Sequence, residues 1–213
     1  MNIYYRVSPF RPDNPAVVFP DDKLFLVKFS HDSFLKAGGN NYKTTYILDS
    51  CENWNEHFSK YGKIVNIVSH DKQTSLLTAY DFALRDGEDS FFVEDDYLWR
   101  PETMKQLENA LKILKVLSPY DHPAHYTEER FDKHYETKLI DGFTYRACPS
   151  NTHTFAIEKE TFKNNFDLIK KYGINDHAMF SELNKFAQMF CPCYSCATHL
   201  ASGCLAPNVK WLN

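Results

Sequence analysis

The chain has 213 residues, of which 43% are hydrophobic, enough for a substantial core in one large domain or two small ones. Its 24 Lys and Arg residues are outnumbered by 28 Asp and Glu residues, and the net charge of −4 argues against a general nucleic-acid-binding protein. Residues 1–6 lack the basic and apolar segments of an export signal, and no apolar run is long enough for a transmembrane helix. We therefore expect a soluble, cytoplasmic protein without a transmembrane segment.

Strands and helices are predicted to alternate along the first hundred residues. The predicted strands are Ile3–Val7, Thr44–Leu48, Ile64–Val68 and Phe91–Glu94. The predicted helices begin at Asp21-Asp22, at about Glu52 and at Lys72. This alternation predicts a parallel, Rossmann-like sheet of the kind that binds nucleotides. No strand is followed by Gly-x-Gly-x-x-Gly or by a Gly-Lys-Ser/Thr loop, so NAD and P-loop ATP are poor fits.

The pattern changes in the second half of the chain. A hairpin is predicted around Asp141-Gly142, because this dipeptide favours tight two-residue turns. The other predicted elements are a helix at Pro101–Leu117, a strand at Thr152–Ile157, helices at Thr161–Lys171 and Asp176–Phe190, and an irregular tail from Cys191. No repeat or linker divides the chain, so residues 1–213 are expected to form one domain.

An acidic triplet, Glu94-Asp95-Asp96, ends the apolar run 90–93. Adjacent carboxylates repel one another, and bringing them together without a cation costs free energy. At the carboxyl end of a strand they would face the crevice where open α/β sheets bind ligands. Oxygen ligands of this kind suit Mg²⁺ or Mn²⁺, which usually also contact substrate phosphates. The alternative is an acidic turn that favours the start of the following helix.

Two further strand ends carry candidate ligand-binding residues. Asp49 ends the second strand, where it can reach a base or ribose, or instead cap the helix that follows. Ser69-His70-Asp71-Lys72 ends the third strand and opens a helix, so backbone N–H groups and a nearby Lys would attract a diphosphate. The alternative at this position is an ordinary helix cap by Asp71.

The C-terminal half offers two weaker candidates. Asn175-Asp176-His177 lies at a predicted helix start, where Asp176 can act as a general base toward a hydroxyl group. The alternatives are helix capping by Asn175 or Asp176, and a core position for His177. His199 lies in the predicted irregular tail, where it is either structural or a late ligand of a divalent ion.

Four of the six cysteines crowd the C-terminal tail, at positions 191, 193, 196 and 204. Their spacing is not that of a standard zinc ribbon. Disulfides are not expected in a reducing compartment. Buried free thiols are therefore favoured over a structural zinc site.

Together these residues resemble the GT-A family of nucleotide-sugar glycosyltransferases, in the broad family 2 style, over most of the chain. The segments that carry the likeness are Tyr4-Tyr5-Arg6, Ile47-Leu48-Asp49, Phe92-Val93-Glu94-Asp95-Asp96, Asn175-Asp176-His177 and Thr198-His199-Leu200. The third segment looks like the metal-binding DxD element, although Glu94 stands where the family usually has Asp. The last two look like the segment of the catalytic base and the C-terminal His element. A narrower likeness is to glycosyltransferase domains encoded by large DNA viruses of algae.

The resemblance implies an α/β fold of the GT-A type. Its central sheet would be Rossmann-like and mostly parallel, with helices on both faces and a small antiparallel extension on the acceptor side. Residues 1–100 would bind the nucleotide-sugar donor, and residues 101–213 the acceptor, a glycan or glycoprotein. UDP is the nucleotide that the family most often uses.

The resemblance also implies roles for individual residues. A Mn²⁺ or Mg²⁺ ion held by Asp96 and His199 would neutralise charge on the leaving nucleoside diphosphate. Asp176 would deprotonate the acceptor hydroxyl, so that the anomeric configuration inverts in one step. The implied donor-binding residues are Tyr5, Arg6, Asp49, His70, Lys72, Glu94 and Asp95.

Two other classes of protein compete with this hypothesis. A metal-dependent nucleotidyltransferase would share the Rossmann-like half, the carboxylates and the ion. It usually needs a Gly-rich loop near the first strand, and residues 6–12 contain no Gly. A non-catalytic nucleotide- or carbohydrate-binding module would suit the 15% aromatic content, but it does not explain three adjacent carboxylates.

Overall fold

The computed structural model describes residues 1–10, 14–69, 71–128 and 135–212. The strands are β1 (Asn2–Val7), β2 (Lys43–Asp49), β3 (Lys63–Ile67), β4 (Ser90–Val93), β5 (Tyr97–Trp99), β6 (Val116–Leu117), β7 (Thr137–Ile140), β8 (Phe143–Ala147), β9 (Phe155–Ile157), β10 (Met189–Pro192) and β11 (Ala197–His199). The helices are α1 (Lys23–Lys36), α2 (Asn55–Phe58), α3 (Lys72–Asp86), α4 (Met104–Leu114), α5 (Ala124–Thr127), α6 (Lys159–Asn164), α7 (Phe166–Tyr172) and α8 (Asp176–Leu183).

Nine of these strands form one sheet in the order β3-β2-β1-β4-β9-β6-β10-β8-β7. The pairs β3–β2, β2–β1, β1–β4 and β6–β10 are parallel, while β9 runs antiparallel to both of its neighbours. The hairpin β7–β8 closes one edge, and β5 and β11 form a separate antiparallel pair. The predicted fold class, a mostly parallel sheet with a small antiparallel extension, is confirmed.

Helices cover both faces of the sheet because the central strands are apolar on both sides. Along β1, Ile3 and Tyr5 pack with α1 and α4 in one buried cluster, whereas Tyr4 packs with α3 and α6 to α8 in another. Side chains alternate between the faces of a strand, so this division follows from the sequence order. The two cores hold the carboxyl ends of β1, β2 and β4 side by side.

Two predicted helices are wrong at their C-terminal ends. The predicted helix Pro101–Leu117 ends at Leu114, where Lys115 adopts a positive φ of 63°, and its last two residues form β6. The predicted helix Asp176–Phe190 ends at Leu183. The next residue, Asn184, accepts a hydrogen bond from the Met189 backbone N–H, and the chain then enters β10. In both segments, pairing within the sheet overrides helical periodicity.

Shorter elements replace two other predictions. The predicted helix Thr161–Lys171 is divided at Asn165 into α6 and α7, and the predicted helix after Glu52 is a 3₁₀ turn followed by α2. The predicted hairpin is confirmed, with Asp141 and Gly142 both at positive φ between β7 and β8. This conformation is the one that two-residue hairpin turns require. Within the described residues, no helix has the length and apolar character that a membrane span requires.

The tail from Cys191 was predicted to be irregular, which is wrong for residues 191–192 and for Ala197–His199. Residues 191–192 continue β10, and β11 pairs antiparallel with β5. In this pairing His199 lies opposite Tyr97, the residue that follows the acidic triplet. The tail is therefore anchored beside the triplet by backbone hydrogen bonds, such as that from Leu200 N–H to the Asp96 carbonyl at 2.8 Å.

Candidate active site at the carboxyl ends of the strands

A cavity of about 440 Å³ opens at the carboxyl ends of β1, β2 and β4, and we call it the strand-end cavity. Ligands bind at this edge in open α/β sheets. The predicted site residues that line it are Arg6, Asp49, Lys72, Glu94, Asp95, Asp96 and His199. Residues from both halves of the chain therefore meet in one cavity.

Asp96 and His199 form an ion pair at the cavity wall. Nε2 of His199 lies 3.1 Å from Oδ2 of Asp96, with side chains 21% and 14% exposed. The His199 ring stacks on Tyr97 at a centroid distance of 5.1 Å, which fixes its orientation. Burial disfavours the charged imidazole, but the Asp96 carboxylate outweighs it and raises the pKa of His199 well above its usual value.

The second carboxylate oxygen of Asp96 is the atom that points to a cation. Oδ1 is buried and has no hydrogen-bond partner among the described residues. A buried charged oxygen without a partner is costly. An unpaired carboxylate oxygen beside an imidazole nitrogen matches the ligand chemistry of Mn²⁺ or Mg²⁺ sites. Asp96 and His199 therefore fit a divalent ion, which would replace the proton on His199.

Asp95, unlike Asp96, uses its carboxylate in contacts that hold the fold together. Its Oδ1 lies 2.7 Å from Nζ of Lys23, and its Oδ2 accepts a hydrogen bond from the Ser8 backbone N–H at 2.9 Å. Burial raises the pKa of Asp95, the Lys23 ammonium opposes this shift, and Asp96 adds to it. Both oxygens thus have protein partners, and Asp95 joins β4 to α1 and to the segment after β1.

Glu94 is held by a cation on the neighbouring strand. Nη2 of Arg6 donates to Oε1 of Glu94 at 2.8 Å, and Nη1 of Arg6 donates to the Ser75 hydroxyl on α3 at 3.3 Å. The Thr154 hydroxyl accepts a hydrogen bond from the Glu94 backbone N–H. Arg6 and Glu94 therefore form an ion pair in the cavity wall.

Asp49 and Lys72 are two of the residues predicted to bind the donor. Asp49 accepts hydrogen bonds from the Ser69 backbone N–H at 3.0 Å and from the Ser50 hydroxyl at 2.9 Å. Asp71 caps α3 by accepting from two backbone N–H groups, so the alternative interpretation of this residue is confirmed. Lys72, the first residue of α3, still lines the cavity. His70, also predicted to bind the donor, lies outside the described residues.

The structure does not place Tyr5 in the site. Its side chain is fully buried, its hydroxyl lies 3.1 Å from that of Ser30, and its ring contacts Phe34 and Tyr46. Tyr5 faces α1 because it alternates with Arg6 along β1. Tyr5 was predicted to bind the donor, but it occupies a core position, and the residue beside it that lines the cavity is Arg6.

Asp176 lines a second, smaller cavity of about 140 Å³, together with His122 and His177. It is the first residue of α8, and the helix cap is Asn175, whose side chain accepts from Ala178 N–H. Burial raises the pKa of Asp176, and the charge of Glu94 contributes in the same direction. The Glu94 carboxylate of the acidic triplet is thus close enough to Asp176 to affect its pKa.

Two alternatives at this helix start are decided by the structure. Capping by Asn175 is confirmed. A core position for His177 is wrong, because its side chain is exposed and its Nδ1 lies 3.0 Å from the Ser150 hydroxyl.

Sequence reasoning missed Lys23 and His153, which also line the strand-end cavity. Lys23 follows the cap of α1 and had no signal beyond its charge. His153 lies in the polar run 149–154, just before β9, which pairs with the strand that ends in the triplet. If that strand pairing had been predicted, His153 would have been identified as a candidate site residue.

The cysteines do not form a zinc ribbon. All six are free; in the tail Cys191 and Cys196 are buried, as predicted, whereas Cys193 and Cys204 are partly exposed. Cys191 lies with Asp121 and His125 in a buried group whose ligand atoms are within 4.8 Å of one another. Arg146 already supplies a cation there, with Nη2 2.5 Å from Asp121 Oδ1. We therefore interpret this group as a charge-compensated part of the core, separate from the predicted metal position.

Comparisons with known proteins find similar structures but no similar sequences. No protein-family model and no curated protein matches the sequence. A structure of GalNAc-T7 with UDP, GalNAc and Mn²⁺ aligns with a TM-score of 0.59 at 11% identity, covering 95% of this chain and 44% of that one. S. aureus TarS aligns with a TM-score of 0.53 at 12% identity, covering 89% of this chain and 34% of that one.

The chain has the GT-A fold. A nucleotidyl transferase from Methanothermobacter shares the architecture, with a TM-score of 0.52 at 10% identity over 89% of this chain and 85% of that one. The chain spans less than half the length of GalNAc-T7 and of TarS. At such identities the likeness establishes the GT-A fold, and the reaction has to be argued from the site.

Proposed function

We propose that the protein is a metal-dependent glycosyltransferase that moves a sugar from a nucleoside-diphosphate sugar to a hydroxyl group of a glycan or glycoprotein. The observation that carries the proposal is the Asp96–His199 pair, with its unpartnered carboxylate oxygen, in a cavity at the strand ends. The GT-A fold supports it, since nucleotide-sugar enzymes such as GalNAc-T7 share this architecture.

Donor binding is assigned to residues 1–100 together with His199. Asp96 and His199 would hold Mn²⁺ or Mg²⁺, which when bound supplies positive charge to the diphosphate. Lys72 adds positive charge at the cavity wall, where the charge of Arg6 is already paired with Glu94. Asp49 lies at the end of β2, where a ribose or base fits against the sheet edge. UDP is the proposed nucleotide.

Acceptor activation is assigned to Asp176 in residues 101–213. Its raised pKa makes the carboxylate a stronger base than an exposed Asp. The small cavity beside it, lined also by Asn151 and Thr152, offers polar groups to an acceptor hydroxyl. As Asp176 takes the hydroxyl proton, the acceptor oxygen attacks the anomeric carbon, the bond from that carbon to the nucleoside diphosphate breaks, and the configuration inverts.

A nucleotidyltransferase is the second candidate, because the Methanothermobacter enzyme has the same architecture. The first strand here leads into a segment without Gly, so a Gly-rich phosphate loop does not follow β1. The geometry of Asp96 and His199 suits either reaction, and the products separate them.

The test is product analysis with the full chain and Mn²⁺. A panel of UDP-, GDP- and dTDP-sugars is incubated with glycan acceptors, and released nucleoside diphosphate is measured. The proposal predicts nucleoside diphosphate and a glycosylated product. Pyrophosphate released from a nucleoside triphosphate and a sugar phosphate would instead indicate the nucleotidyltransferase, and binding without turnover would indicate a binding module.

A further inference from the structure

His153 is a buried histidine with one ring nitrogen that lacks a partner in the described part of the chain. The residue is 8% exposed and lines the strand-end cavity. Its Nε2 lies 3.1 Å from the Ile174 carbonyl oxygen. A carbonyl oxygen can only accept, so Nε2 carries the proton. Nδ1 is buried without a hydrogen-bond partner among the described residues.

The position of His153 follows from the sheet register. β9 pairs antiparallel and β1 pairs parallel with β4, on its two sides. Arg6 lies near the end of β1, Glu94 follows β4 directly, and His153 lies two residues before β9, so the three residues meet at one edge of the sheet. All three line the strand-end cavity.

The His153 imidazole is neutral near physiological pH. Burial first, and then the Arg6 guanidinium, lower the pKa of His153 to about 4. Nδ1 therefore holds a lone pair and acts as a hydrogen-bond acceptor. At this pKa it is a poor base for an alcohol proton, so a role in binding is favoured over proton transfer.

Arg6 provides a complementary atom in the same cavity. Its two terminal nitrogens donate to Ser75 and Glu94, but its Nε–H is buried with no partner among the described residues. Arg6 and His153 both line the strand-end cavity, so its wall contains one acceptor and one donor that are buried without partners among the described residues. Neighbouring hydroxyl groups of a sugar ring supply the matching donor and acceptor.

We propose that Nδ1 of His153 accepts a hydrogen bond from a hydroxyl group of the transferred sugar, which makes His153 a specificity-determining residue. This inference rests on the proposed function. The sugar is its partner rather than the ribose, because His153 lies just before β9, on one side of β4, whereas Asp49 ends β2, on the far side of β1. A donor lacking that hydroxyl would leave Nδ1 buried and unpaired, and would be rejected.

Two substitutions distinguish a role of His153 in sugar recognition from a purely structural role. In His153→Gln, the amide nitrogen reaches the position of Nε2 and keeps the hydrogen bond to Ile174, but the acceptor at Nδ1 is lost. In His153→Asn, the shorter amide places its oxygen near the position of Nδ1, so the acceptor is restored. Melting curves of both variants check that each one folds.

Binding is measured by calorimetry on the full chain in Mn²⁺, with UDP, UDP-glucose, UDP-galactose and UDP-N-acetylglucosamine. For the UDP-sugar that the wild type binds most tightly, His153→Gln should weaken binding about tenfold, the value of one hydrogen bond. UDP affinity should not change, and His153→Asn should recover most of the loss. One monodeoxy analogue of that sugar should bind the wild type and His153→Gln equally.

Three results would overturn the inference. An unchanged affinity of His153→Gln for the UDP-sugar refutes it and leaves the proposed function intact. Equal losses for UDP and the UDP-sugar place His153 against the nucleotide or give it a structural role. If the wild type binds none of the four nucleotides, the proposed function fails for these donors, and this inference fails with it.

Discussion

The buried ion pair between Lys23 and Asp95 predicts that one member of the acidic triplet serves stability. The two charged groups are 2.7 Å apart, and their side chains are only 9% and 10% exposed. Lys23→Met leaves Asp95 and Asp96 adjacent and buried without this ammonium group. Breaking a buried ion pair from one side costs about 3–5 kcal/mol, so we expect the free energy of unfolding to fall by that amount.

Urea denaturation at pH 7, followed by circular dichroism, measures this loss. The double variant Lys23→Met/Asp95→Asn removes both charges and keeps an amide oxygen for Ser8 N–H, so it should be more stable than the single variant. Lys105→Met is the surface control, because Lys105 is 69% exposed in its ion pair with Glu108 and such pairs contribute about 0–1 kcal/mol. Wild-type stability in Lys23→Met, or a double variant no more stable than the single one, would refute the reasoning.

Two predictions concern Asp176 and His199. Asp176→Asn should lower turnover by about 10²–10⁴-fold with nearly unchanged donor affinity, and NMR should show inverted products in the wild type; retention of configuration would reject the base assignment. The pKa of His199 is raised in the folded state, so its pairing with Asp96 stabilises fully below the unfolded pKa of about 6.5 and is lost as pH rises through the folded pKa. In EDTA, His199→Asn should therefore destabilise the protein most at acidic pH and progressively less in alkali, as urea titrations across pH would show; an effect that grows with pH would contradict the pairing.

The N-terminal half of the fold was predictable from local sequence. In β1 to β4, apolar runs of strand length alternate with helices, and this pattern alone indicates a parallel sheet. The failures at Lys115–Leu117 and Met189–Pro192 have one cause. These short segments are held by strand partners distant in the chain, such as Phe190 beside Leu117, and their local periodicity does not record those partners.

The unusual cluster of charges in the candidate site could be predicted from the sequence, whereas the orientation and the partners of the individual side chains could not. Three adjacent carboxylates marked the cavity, but their sequence does not show that Asp95 pairs with Lys23 while Asp96 keeps an unpartnered oxygen. Tyr5 and Arg6 are neighbours that face opposite sides of the sheet. His199 was identified as a candidate, yet its place beside Asp96 depends on the β5–β11 pairing.

Metal-dependent donor binding tests the central claim most directly. UDP is titrated into the full chain with Mn²⁺ or with EDTA, for the wild type, Asp96→Asn and the control Asp81→Asn, whose side chain on α3 is 51% exposed. We expect the wild type and the control to bind UDP at least about tenfold more tightly in Mn²⁺, since an ion held by Asp96 and His199 would add positive charge beside the diphosphate. Asp96→Asn should fold normally and lose that difference. The same Mn²⁺ dependence in Asp96→Asn as in the wild type would contradict the assignment of Asp96 as the metal ligand.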